Sequence, residues 1–179
     1  VTVRNSAFVI TSGDTPAGAF RIGGGQVELG AVSLISDTGG AARGGDIRVV
    51  ADTLRISGAS QIGTSARASG DAGDLSLTAR DLSVDGGTLF SVTTTGAAGG
   101  RIALSADTLA VRGFATLAST NSAGGPGGDI VFTANSLLIE DAFVVSSTLG
   151  GGRGGHVAVS APSMQLFNAN LFATSLGDG

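Results

Sequence analysis

Five polar residues recur at one place in the chain's pattern: Asp46, Asp74, Arg101, Asp129 and His156, each directly after a glycine and directly before an apolar residue. Successive members lie 27 or 28 positions apart. If the copies stack, these side chains form one column. Adjacent carboxylates such as Asp46 and Asp74 can share a cation, but calcium takes about six to eight oxygens, more than this column offers. Arg101, between Asp74 and Asp129, suits an exposed ion ladder worth about 0–1 kcal/mol per pair. His156 is the only histidine, and a Ser-His-acid set needs positioned partners that one loop histidine does not supply. The column therefore reads as a solvated charged edge, with no catalytic residue, no metal and no cofactor expected.

The elements that carry this column repeat with it. Apolar residues follow each polar one at Ile47, Leu75, Ile102, Ile130 and Val157, and Phe20 extends the series backwards by 27. A period of this length marks a stacked array. Residues 102–129 show one unit. Ile102 to Ala106 alternates apolar with small or polar, the mark of a half-buried strand. Asp107-Thr108 interrupts, Leu109-Ala110-Val111 alternates again, and Arg112-Gly113 breaks the run. Phe114 to Thr120 makes a third run, and the glycine-rich stretch to Asp129 is a loop by composition.

This spacing predicts an all-β parallel β-helix (β-solenoid) with three short strands per coil and about six coils of 27 or 28 residues. A partial coil over 1–19 precedes units at 20–46, 47–74, 75–101, 102–129, 130–156 and 157–179, the whole being a piece of a longer solenoid. Inward pairs are expected at Ile47/Val49 and Leu54/Ile56 and their equivalents. The third-strand inward column is expected to be Ile35, Ile62, Phe90, Leu117, Val145 and Phe172. Ala51, Ala79, Ala106, Ala134 and Ala161 precede the first turn, where a small side chain lets the chain bend. One-residue differences in coil length are assigned to the glycine-rich loop. Glycine in every unit opposes a helical reading.

Composition narrows the function. Glycine supplies 31 residues without a triplet period, against collagen, and the 42% apolar content is too high for a disordered linker. The net charge of −4 is scattered along the chain, which disfavours nucleic acid. No run approaches the roughly 18 apolar residues of a membrane helix, so membrane insertion is not expected. Cysteine is absent, and with it disulfides and thiolate metal sites.

The pattern Gly-Gly-polar-Ile-x-Val/Leu-x-Ala-Asp-x-Leu-x-Ile-x-Gly-Ala, clearest over Gly44 to Ala59 and Gly99 to Phe114, resembles the repeat regions of filamentous-haemagglutinin-like exoproteins of two-partner secretion systems. The Ser/Thr-rich tail Ala118-Ser119-Thr120-Asn121 adds to the likeness, which covers nearly the whole chain from about Gly18. Asp, Arg or His stands where many relatives carry Asn after the glycine pair, and no segment matches the family's N-terminal secretion domain. The resemblance implies a right-handed β-helix exported to the outside or outer-membrane surface of a Gram-negative bacterium. It further implies a structural shaft of an adhesin-like protein, a rod with broad, weak lateral contacts. Partners would be further coils, other copies end to end or side by side, and host or surface glycans.

Two other functions fit parts of the pattern. A carbohydrate-active β-helix lyase or hydrolase needs carboxylates clustered on one face, whereas Asp52, Asp81, Asp85, Asp107 and Asp141 fall in turns. An ice-binding solenoid would use a flat outward hydroxyl column, for which Thr38, Ser65, Thr93, Thr120, Thr148 and Ser175 are the candidates; a Ser/Thr ladder pairing across coils is the plainer account. Outward positions of the first two strands lose charge toward the C-terminal half, from Arg21, Arg48 and Arg55 to Val131 and Leu138. With Phe143, these last two are the expected lateral-contact residues.

Overall fold

The computed structural model describes residues 1–15 and 17–176. Among them there is no helix. The strands are β1 (Thr2–Arg4), β2 (Ala7–Ser12), β3 (Phe20–Gly30), β4 (Ser33–Thr38), β5 (Ile47–Ser57), β6 (Gln61–Ala66), β7 (Leu75–Asp85), β8 (Thr88–Thr93), β9 (Ile102–Arg112), β10 (Thr116–Asn121), β11 (Ile130–Glu140), β12 (Phe143–Leu149), β13 (Val157–Ser160), β14 (Ser163–Phe167) and β15 (Asn170–Leu176). The first sheet runs β1-β3-β5-β7-β9-β11-β13, with β14 also on β11, and the second runs β2-β4-β6-β8-β10-β12-β15. Every pairing is parallel, and each strand pairs with its equivalent one coil away. This is a β-solenoid of about six turns, the architecture of a structural repeat protein.

The three expected strands per coil appear as two in most coils. In β5 the inward parity runs Ile47, Val49, Ala51 and then shifts to Leu54, Ile56. The strand bends where the parity changes, and the ladder skips the Asp52–Arg80 pair while holding Ala51↔Ala79 and Thr53↔Asp81. The first two predicted strands are thus halves of one bent 11-residue strand. They separate fully only in the last coil, as β13 and β14. Pro162 lies between them and has no N–H to give to the ladder.

The third-strand column is corrected by one residue in four coils. In-register neighbours are Leu34↔Ile62↔Leu89↔Leu117↔Val144↔Leu171, and the first five are buried. Ile35, Phe90, Val145 and Phe172 face outward, Phe172 at 48% exposure. A one-residue slip turns a side chain to the opposite face. Its source is the corner before the third strand, which holds three residues in two coils (58–60 and 113–115) and two in the others. After the first coil the glycine-rich loop, expected to vary, is constant: Thr38, Ala66, Thr93, Asn121 and Thr148 each precede the next coil's first strand residue by nine positions. The variable corner turns through left-handed backbone at Gly58, Gly86, Gly113, Asp141 and Asn168, residue types that tolerate positive φ. Phe114, expected to open a strand, stands in this corner at 72% exposure.

The core is a set of columns along the axis, such as Leu54, Leu82, Leu109 and Leu137, each 2% exposed or less. A coil's apolar side is covered only by its neighbours. In the last coil the equivalent residues Met164 and Leu166 remain 50% and 45% exposed.

Candidate functional surfaces

The polar column after the glycines binds coil to coil through the backbone. The amide of Asp74 donates to Asp46 Oδ1 at 2.9 Å, that of Arg101 to Asp74 Oδ1 at 2.7 Å, and that of His156 to Asp129 Oδ1 at 2.8 Å. Each carboxylate therefore accepts the amide one coil further on. An ionised acceptor makes these bonds stronger than neutral ones. Two outer-loop aspartates do the same: Ala41 N–H donates to Asp14 and Ala98 N–H to Asp71.

The positive charge between Asp46 and Asp74 is a side chain. Arg43 Nη1 lies 2.7 Å from Asp46 and Nη2 3.0 Å from Asp74. Arg101, expected to sit between two acids, makes no ion pair among the described residues. Burial works to lower the Arg43 pKa, but the hydrogen bond to Asp46 and the charges of Asp46, Asp74 and Asp71 outweigh it and raise the pKa above its ordinary value. A basic group whose pKa rises on folding stabilises the fold at every pH below its unfolded value, so this contribution is constant through the neutral range. Arg43→Gln leaves two adjacent carboxylates uncompensated and should cost about 1 kcal/mol at low salt. The loss should shrink as salt screens the pair. Urea melts of both proteins at low and high ionic strength check it, and equal stability at low salt would show that Arg43 does not act as the counter-ion.

The glycine before each polar residue has a steric cause. A Cβ on Gly73 would meet the carbonyl of Gly45, on Gly100 that of Gly73, and on Gly128 that of Gly100. Buried hydroxyls close the same corner from inside. Thr64 Oγ1 donates to the Gly73 carbonyl at 2.6 Å, Gly100 N–H donates to Ser91 Oγ at 2.8 Å, and Ser146 Oγ donates to the Gly128 carbonyl at 3.0 Å. The hydroxyl column expected outside is split by the same slip. Thr38, Thr93 and Thr148 are buried, and Thr148 Oγ1 donates to the Gly125 carbonyl at 2.9 Å. Ser65 and Thr120 are half-buried in the outward register. No single hydroxyl row faces water. The carboxylates' role as acceptors for the next coil was not anticipated; its only sequence signal is Asp recurring after glycine.

The expected lateral-contact residues are dispersed. Val131 and Leu138 occupy outward, half-buried positions on the two halves of β11, while Phe143 opens β12 in the other sheet at 44% exposure. Around Arg55 the first sheet carries shallow troughs of about 190 and 240 Å³, bordered by Thr53, Asp81, Ser83 and Arg112 and by Arg4, Glu28 and Asp85. Several of these charges are already paired: Arg4 with Glu28 at 2.9 Å and Arg112 with Asp85 at 3.3 Å. No protein-family model, curated protein or solved structure matches the chain.

Proposed function

We propose that the chain is a shaft segment of a secreted or cell-surface, adhesin-like exoprotein, a rigid rod that holds attached parts away from the surface of a Gram-negative cell. The observation that supports this most is unbroken register. From β3 to β11 in the first sheet and from β4 to β12 in the second, every coil pairs with the next, so stability accumulates coil by coil. Six coils at about 4.8 Å each make a rod roughly 30 Å long, and added coils would lengthen it without a change of design. The exposed Met164 and Leu166 suit cover by a further coil of the same kind. The competing reading, a carbohydrate-active β-helix enzyme, needs carboxylates free to act on a glycosidic bond. Asp46, Asp74 and Asp129 instead spend an oxygen each on a neighbouring amide.

Two measurements test the proposal. Antibodies against the purified chain should label intact source cells, and labelling only after the cells are opened would refute the surface role. Purified chain should leave polysaccharides at full length, and depolymerisation would replace the shaft with the enzyme.

A further inference from the structure

The outer face of the second sheet carries almost no charge along its whole length. Its central outward row carries Val9, Ile35, Phe90, Val145 and Phe172, in register along the rod. Gly63 and Ala118 complete the row. A Cβ on Gly63 would meet the Phe90 backbone and ring, so the ring lies over the glycine, and a shallow hollow of about 390 Å³ remains between Ile35 and Phe90. The flanking outward positions are mostly hydroxyls, among them Thr88, Thr116, Thr120 and Ser147. Asp37 is the one charged residue at the outward positions of these strands, and it is only 7% exposed, bonded to Ser65 and Arg67. The first sheet, by contrast, directs Arg21, Arg48, Arg55, Asp81 and Arg112 outward.

Depletion of charge with enrichment of aromatics is what separates the centre of a protein interface from ordinary surface. We propose that this face docks against the same face of a second copy, sheet on sheet, as a closed pair. A second copy is the occupant that fits. The face offers a charged partner only the Asp37–Arg67 pair, which neutralises itself, and two identical faces of no net charge meet without repulsion although each chain carries a net charge of −4. Seven strands about 4.8 Å apart and roughly 20 Å long cover about 650 Å². Two such faces bury about 1,300 Å², within the range of specific interfaces. A sheet face is also a natural partner of a sheet face, the two packing about 10 Å apart with strands nearly aligned. The inference deepens the shaft reading by naming where two rods lie side by side.

Sedimentation of the chain from roughly 1 to 100 µM, where interfaces of this size commonly dissociate, should show a reversible monomer–dimer equilibrium. Phe90→Arg, at the middle of the row, should weaken it about a hundredfold while the circular dichroism stays that of the parent. Val145→Arg serves the same end should the first variant misfold, and Ser83→Arg on the other sheet should leave the dimer intact. Because the chain has no cysteine, Ala118→Cys should cross-link copies under mild oxidation and Ser83→Cys should not. A monomer at the highest concentration overturns the proposal, as does association indifferent to both arginine variants. An open-ended ladder of species, the signature of head-to-tail stacking, overturns it too. Any of these leaves the shaft reading standing, whereas absent surface labelling defeats the shaft reading and leaves the pair.

Discussion

Leu109→Asp should remove most of the stability of the rod. Leu109 is 1% exposed and lies between Leu82 and Leu137 of the adjoining coils. The column around it is aliphatic, so an ionised carboxylate there has no partner and the substitution costs about 4 kcal/mol or more. Domains of this size are stable by roughly 5–15 kcal/mol. The damage should extend to both adjoining coils, because each is covered only by its neighbours. Thermal melts followed by circular dichroism give the readout, with Ala110→Asp as the control. Ala110 is the next residue but faces outward, and a substitution there should change stability by less than about 0.5 kcal/mol. Equal melting of the two variants would mean that Leu109 is not interior.

Gly100→Ala, a single methyl, should be nearly as damaging. The added Cβ would collide with the carbonyl of Gly73, and the Ser91 hydroxyl lies close by. The nearest obstacle is backbone, so no rotamer change relieves it, and the coils must part or shift register. Overpacking of this kind costs about 3 kcal/mol. Gly96→Ala is the matched control. A Cβ there meets nothing within 4 Å and the backbone is not left-handed, so the variant should be neutral or slightly stabilised through the unfolded chain. A Gly100→Ala protein that melts with the parent would show that the glycine column is not held by close approach.

The parts of the fold that were legible in the sequence are those where parity and period agree. Ile47, Val49, Leu54 and Ile56 declare two inward runs, and every coil repeats them at 27 or 28 residues, so the first sheet follows directly. The third strand was misread because a fixed offset from the first strand was carried through all coils. The corner before it holds three residues at 58–60 and 113–115, where that offset fits, but only two at 31–32, 86–87, 141–142 and 168–169, which moves the inward position back by one in those four coils, from Phe90 to Leu89 and from Val145 to Val144 among them. Alternation alone could not choose, since Leu89 and Phe90, like Val144 and Val145, are both apolar. The same slip hid the two features with most bearing on function. Thr93 and Thr148 became buried hydroxyls, and Phe90, Val145 and Phe172 became a surface. The expected contact at Val131, Leu138 and Phe143 looked for exposed apolar residues within one coil, whereas the neutral row crosses all of them.

The direction of the ladders has a further consequence. Strands lie across the rod, so the hydrogen bonds between coils point along it. Tension applied to the whole end face loads all the bonds of a junction at once and meets high resistance. Tension applied through the chain's own terminus instead unspools the outermost coil, one bond after another. Each such event frees 27 or 28 residues, about 90 Å of slack, for the loss of a single rung. A stalk of this build would yield to a sharp tug in discrete steps and rewind when the force falls, sparing whatever it tethers.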